Sequence, residues 1–111
     1  LFQKMPISKL IPAFQMKKKN VTELSAEEKD ALIEAVDLAY PDFSARLVAG
    51  FGKFSQTNLC ICCLLKLEVS ARNIQRLCAL EEDNYYKSRQ RLAVKLGLDN
   101  TKSLDSFLIE F

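Results

Sequence analysis

Histidine and tryptophan are absent from the 111-residue chain, and glycine and proline occur only three times each. Without histidine, the chain lacks the side chain that most often moves protons near neutral pH and the commonest nitrogen ligand for metals. It also lacks a glycine-rich phosphate loop and a nucleophile motif. Acid–base, phosphoryl-transfer and acyl-transfer catalysis are therefore without their usual parts, and the chain reads as a non-enzyme with no cofactor and no metal. No stretch approaches the ~20 apolar residues needed to cross a bilayer, and no basic segment followed by an unbroken apolar run marks a signal peptide. The scarcity of glycine and proline, with no alternating strand-like run, predicts an all-α chain.

At 49% hydrophobic residues the chain can bury a core, but its length suits one domain. The net charge of +2 is too small to imply nucleic acid by itself, so its distribution matters more. Residues 1–22 carry five lysines and no acid; residues 23–44 carry seven acids and one lysine; residues 70–98 carry six basic and three acidic residues. Two units follow: an irregular arm over 1–22, broken by Pro6 and Pro12, and a helical domain over 23–111. Lys17, Lys18 and Lys19 read as a solvated linker, or else as a basic arm that holds phosphate. The apolar residues before them read as a docking segment for the domain's own surface or for a second copy. Because the chain begins at Leu1, it is expected to be part of a longer protein.

The domain is expected to be a compact helical bundle of about five helices containing a helix-turn-helix. Ser25 and Glu28 have the spacing of a capping box, and the helix they open buries Leu32, Val36, Ala39 and Tyr40. Glu27, Asp30, Glu34 and Asp37 form its wet side, and Pro41 ends it. That wet side, including the adjacent Glu27 and Glu28, is read as solvated rather than as acid–base or metal chemistry. A second helix over residues 42–51 places Phe43, Leu47 and Phe51 on one face. A third, capped by Ser55 with Phe54 and Leu59 as its hydrophobic staple, is apolar or cysteine at every position of 59–67 except Lys66. A helix apolar on all sides is buried on all sides. Cys60, Cys62 and Cys63 lie in it and Cys78 lies further on; with no histidine and no paired C-x-x-C knuckles, they read as core packing. Unpaired thiols suit a reducing compartment, the cytoplasm.

Residues 70–98 carry the helix-turn-helix pattern. Ser70 caps a short helix whose Ile74, Leu77 and Cys78 face inward, with Val69 stapled to Ile74. A second helix buries Tyr85, Leu92 and Leu96 and ends at Gly97, with Leu98 packing behind. At ~100° per residue this turns Asp83, Lys87, Gln90, Arg91 and Val94 outward, with Asn84, Tyr86 and Lys95 on the flanks. Lys, Arg, Asn and Gln on such a face are the types that read base edges. Leu104, Phe107, Leu108 and Phe111 predict a last, short amphipathic helix, which closes the core.

The run R-Q-R-L-A-V-K-L-G-L over residues 89–98 resembles the recognition-helix tail of LuxR-type bacterial effector domains. Y-P-D-F-S-A-R-L over 40–47, L-C-I-C-C-L-L-K-L-E-V-S over 59–70 and S-L-D-S-F-L-I-E-F over 103–111 are similar to one subgroup of it. The resemblance covers roughly residues 24–111. It implies a DNA-binding effector domain at the cytoplasmic end of a longer regulator, after a tetratricopeptide or other sensory region and in some members after a membrane span; this segment itself is expected to touch no membrane. In that family the helix after the recognition helix packs across the bundle and can make contacts between two copies, an alternative to simple core closure here. In that reading Lys87, Gln90 and Arg91 read the major groove, while Arg89, Lys95 and either Arg72 or Lys102 hold the backbone of double-stranded DNA, with Asn84 and Tyr86 beside them. Arg89 lies only ~40° from the buried stripe, so an acid of its own domain is its other expected partner. The chain departs from the family at Gln75, where a small residue is usual, at Tyr85, where a small β-branched one is, and at Glu81, Glu82 and Asp83. Those acids suit a helix N-terminus but not a phosphate surface. The alternative reading is therefore a module of the same fold that has lost DNA binding and serves protein–protein interaction or dimerisation.

Overall fold

Three serines open three of the helices. In the computed structural model, which describes residues 23–111, Ser25 Oγ accepts the Glu28 N–H at 3.1 Å while Glu28 Oε1 accepts the Ser25 N–H at 2.9 Å. This capping box starts α1 (Ala26–Ala39). Ser55 accepts from Asn58 at 3.1 Å to start α3 (Gln56–Lys66), and Ser70 accepts from Asn73 at 3.3 Å to start α4 (Ala71–Leu77). Between them α2 (Phe43–Phe51) follows Asp42, whose side chain does not cap it. The cap comes from Asp37, which accepts the Ser44 N–H at 2.7 Å on one carboxylate oxygen and the Ser44 hydroxyl on the other. Asp37 therefore leaves the wet side of α1 assigned to it from periodicity, because the chain folds back and brings Ser44 to it. Helix α5 (Glu82–Lys95), a 3-10 turn (Thr101–Ser103) and α6 (Leu104–Glu110) complete the all-helical bundle, six α-helices among the described residues. The expectations placed on residues 1–22, including Lys17, Lys18 and Lys19, lie outside the described residues.

Helix α3 is the centre of the core. Residues 60–65 are buried without interruption, with α1 and α6 packed along it. The other helices each contribute one stripe: Leu32 and Val36 from α1, Phe43 and Leu47 from α2, Ile74 and Leu77 from α4, Tyr85 and Leu92 from α5, Leu104 and Leu108 from α6. Ala39 and Tyr40, expected within the α1 stripe, are only half-buried, since the helix ends at Ala39 ahead of Pro41. Leu24 is also buried, and its N–H donates to Leu77 O at 2.8 Å, tying the first described residues to the end of α4. No helix among the described residues is long and apolar enough to cross a membrane.

Three helices end in the same left-handed cap, although glycine serves only one of them. At the ends of α3, α4 and α5, Glu68 (φ 59°), Ala79 (φ 53°) and Gly97 (φ 74°) turn the chain back, and crossed backbone bonds close each end. For α4 these are Ala79 N–H to Arg76 O at 3.3 Å and Leu80 N–H to Gln75 O at 2.8 Å. A side chain in this region costs roughly 1–2 kcal/mol, whereas glycine adds only about 0.4–1 kcal/mol of unfolded-chain entropy. Ala79→Gly is thus expected to stabilise the domain by about 0.5–1 kcal/mol, seen as a raised urea midpoint. A lowered midpoint would mean that the exposed Ala79 methyl makes a contact worth more than the strain.

Candidate nucleic-acid interface

The short helix α4 gives the second helix its floor. Val69 is half-buried against the core, Ile74 and Leu77 are buried, and Cys78 ends the helix with its N–H donating to Ile74 O. Ala79 and Leu80 then turn the chain, and Glu81 stands extended at the N-cap of α5 without a side-chain cap bond. Glu82 and Asp83 occupy the first turn, where negative charge complements the free N–H groups and the helix dipole.

The inward face of α5 is as the sequence predicts, with one addition. Tyr85, Leu92 and Leu96 are buried, and Ala93 joins them. The opposite face is open: Asp83, Asn84, Tyr86, Lys87, Gln90, Arg91, Val94 and Lys95 are all exposed, Val94 by 78%. Asn84, Lys87, Gln90 and Arg91 make no side-chain hydrogen bond or ion pair among the described residues, so their donors and acceptors face solvent. Lys95 is partly engaged, its Nζ 4.9 Å from the centre of the Phe54 ring. Tyr86 leans edge-on against Tyr85, ring centres 5.4 Å apart.

Arg89 is the exception among the seven residues singled out from the sequence. Its Nη1 lies 2.7 Å from Asp105 Oδ1 and 3.4 Å from the Tyr85 hydroxyl, and its Nη2 donates to Thr101 O at 3.0 Å. Burial opposes its charge, but the bonds to Asp105 and Tyr85 prevail and hold its pKa above the usual guanidinium value. Burial likewise raises Tyr85, only partly offset by the bond from Arg89. With its donors committed inside the domain, Arg89 is withdrawn from the backbone-holding role and instead fastens α5 to the start of α6. Sequence spacing had placed Arg89 beside the buried stripe; what it lacked was Asp105, sixteen positions away.

Two clefts lie near α5. Tyr86, Arg89, Lys102 and Asp105 line one of about 280 Å³, between α5 and the start of α6; Arg72, Gln75, Arg76 and Glu81 line another of about 300 Å³, along α4 and the turn that leads into α5. Arg72, Arg76 and Lys102 are exposed at these edges, and Gln75 is half-buried in the second groove. Arg76, not singled out from the sequence, stands one helical turn beyond Arg72 on the same face of α4. Compared with family models, curated proteins and solved structures, the chain matches none.

Proposed function

We propose that this is the DNA-binding effector domain of a bacterial transcription regulator, with α5 lying in the major groove. The observation that carries the reading is the outer face of α5, where Lys87, Gln90 and Arg91 are exposed and have no partner among the described residues, on a helix whose other face is locked into the core. An arginine with both edges free suits the paired acceptors of guanine, and a glutamine suits the donor–acceptor pair of adenine. Lys87 stands between them and the N-terminal turn that enters the groove first in this class of motif. In this reading Asn84, Tyr86 and Lys95, with Arg72 and Lys102 at the cleft edges, hold phosphates. Arg89 acts indirectly, keeping α5 in register with α6 through Asp105.

A second reading is favoured by two features of the same helix. Glu81, Glu82 and Asp83 are exposed without side-chain partners among the described residues, and Val94 is an apolar side chain left in water one turn beyond Gln90. A protein partner would use the apolar residue and tolerate the acids, whereas phosphate would be repelled by them. The two readings separate on titration with random-sequence duplex over a range of salt. A DNA reader enriches a motif and weakens steeply as salt rises; an interaction module retains nothing at low salt. A palindromic motif would further indicate two copies on one site. On the DNA reading, Arg91→Ala is expected to weaken specific binding by roughly 1–3 kcal/mol and to relax preference at one base position. Unchanged affinity and preference would remove Arg91 from the site.

A further inference from the structure

All four thiols are free and buried, and two of them meet. Cys78, at the end of α4, is eighteen residues from Cys60 in the chain, yet its Sγ donates to Cys60 Sγ across 4.0 Å. Cys62 and Cys63 share helix α3 with Cys60 but have no sulfur hydrogen bond among the described residues. Burial pushes Cys62 up to about 12 and holds Cys63 well above the ordinary thiol range, so both stay protonated and unreactive. The meeting pair behaves differently. When Cys78 ionises, the Cys60 thiol donates to it and lowers its pKa; burial opposes this, and the Lys29 ammonium assists it, while Cys60 itself is pushed up. Lys29 also reaches Thr57 Oγ1 at 3.5 Å, three residues before Cys60 on α3. Cys78 is the more accessible partner at 5% exposure, against 0% for Cys60.

We infer that Cys60 and Cys78 are an oxidisable pair, closed to a disulfide by a hydroperoxide and reopened by thiols, which pins the end of α4 to α3. The Cys78 thiolate attacks one peroxide oxygen. The O–O bond breaks, an S–O bond forms, and the released hydroxide takes up a proton to leave as water. With Cys78 oxidised, the thiolate neighbour that most opposed ionisation of Cys60 is gone, and the Cys60 sulfur attacks that of Cys78; the S–S bond forms, the S–O bond breaks, and the second hydroxide leaves as water with the proton of Cys60. Two thiols and one peroxide give one disulfide and two waters. Hydrogen peroxide is small enough for a sulfur this enclosed, and closing the 4.0 Å gap to a bond of about 2.05 Å requires ~2 Å of approach, met by rotation of the two cysteine side chains and a shift of the end of the seven-residue α4. Because Cys78 precedes the Ala79 turn, closure acts on the approach of α5, the helix that presents Lys87, Gln90 and Arg91. The sulfur chemistry stands apart from the DNA reading and is tested without DNA.

The experiment treats the reduced whole chain with hydrogen peroxide, alkylates it in denaturant and measures the intact mass and the tryptic peptides. The expected result is loss of about two hydrogens, alkylation of two of the four thiols rather than all four, and a linked pair of peptides carrying Cys60 and Cys78. In Cys60→Ser the link disappears and Cys78 is trapped as a sulfenic acid by dimedone. If that variant fails to fold, Cys78→Ser at the more accessible position removes the same link. Four alkylated thiols after oxidation would overturn the inference, as would a link between the same two peptides that survives in Cys60→Ser, where Cys62 and Cys63 remain.

Discussion

Tyr85→Ala is expected to cost about 3–5 kcal/mol of stability, the range for deleting a large buried aromatic. Tyr85 is the largest fully buried side chain in the domain, and it stands in the first half of α5. Its removal leaves a cavity between α5 and the core that backbone packing cannot readily close. The loss is mainly one of volume, because Arg89 keeps Asp105 and Thr101 O as partners and is not orphaned. Tyr85→Phe, which removes only the 3.4 Å contact to Arg89, should accordingly cost about 1 kcal/mol or less. Urea unfolding of the three proteins checks both statements. Equal destabilisation by phenylalanine and alanine would locate the contribution in the hydroxyl instead of the ring.

Phe43→Ala should be as damaging, again by about 3–5 kcal/mol, but at the opposite end of the argument. Phe43 is fully buried at the start of α2 and meets Phe111 edge-on, ring centres 6.1 Å apart. Lys66 Nζ lies 5.5 Å from the centre of its ring while donating to Ile109 O at 2.6 Å. One side chain thus joins α2, the end of α3 and α6, and none of these presents Lys87, Gln90 or Arg91. Measured at a temperature where the variant is still folded, partner binding per folded molecule should match the unsubstituted chain, whereas Arg91→Ala should show the reverse: normal unfolding and weakened binding. If Phe43→Ala alters partner binding by the folded fraction, the packing around α2 sets the posture of α5.

What could be read from the sequence was what neighbouring residues decide among themselves. The caps at Ser25, Ser55 and Ser70 and the end of α5 at Gly97 each involve partners within five residues, and all four occur as expected. The buried run of α3 was legible because six apolar positions in a row leave a helix no wet side. The features that escaped depend on residues distant in the chain or on missing signals. Asp37 fits the wet face of α1 by spacing, and only the fold shows that Ser44 turns back to it. Arg89 could be placed beside the buried stripe, but choosing between phosphate and Asp105 needed the position of α6. Glu68 and Ala79 adopt a backbone conformation usually announced by glycine, and the sequence has none at either place. The meeting of Cys60 with Cys78 likewise follows from how α4 lies against α3 and from nothing in their spacing.

The unbroken burial of residues 60–65 also sets a clock. In a bundle where one helix is enclosed by the others, no small opening brings its amides to water. The protons of that segment exchange for deuterium through unfolding of the whole domain, and their rate reads its global free energy. Helix α5, with one face already in solvent, can fray from its acidic end at far smaller cost. A partner that seats on α5 would therefore slow exchange there first and reach residues 60–65 only to the extent that it stabilises the entire fold.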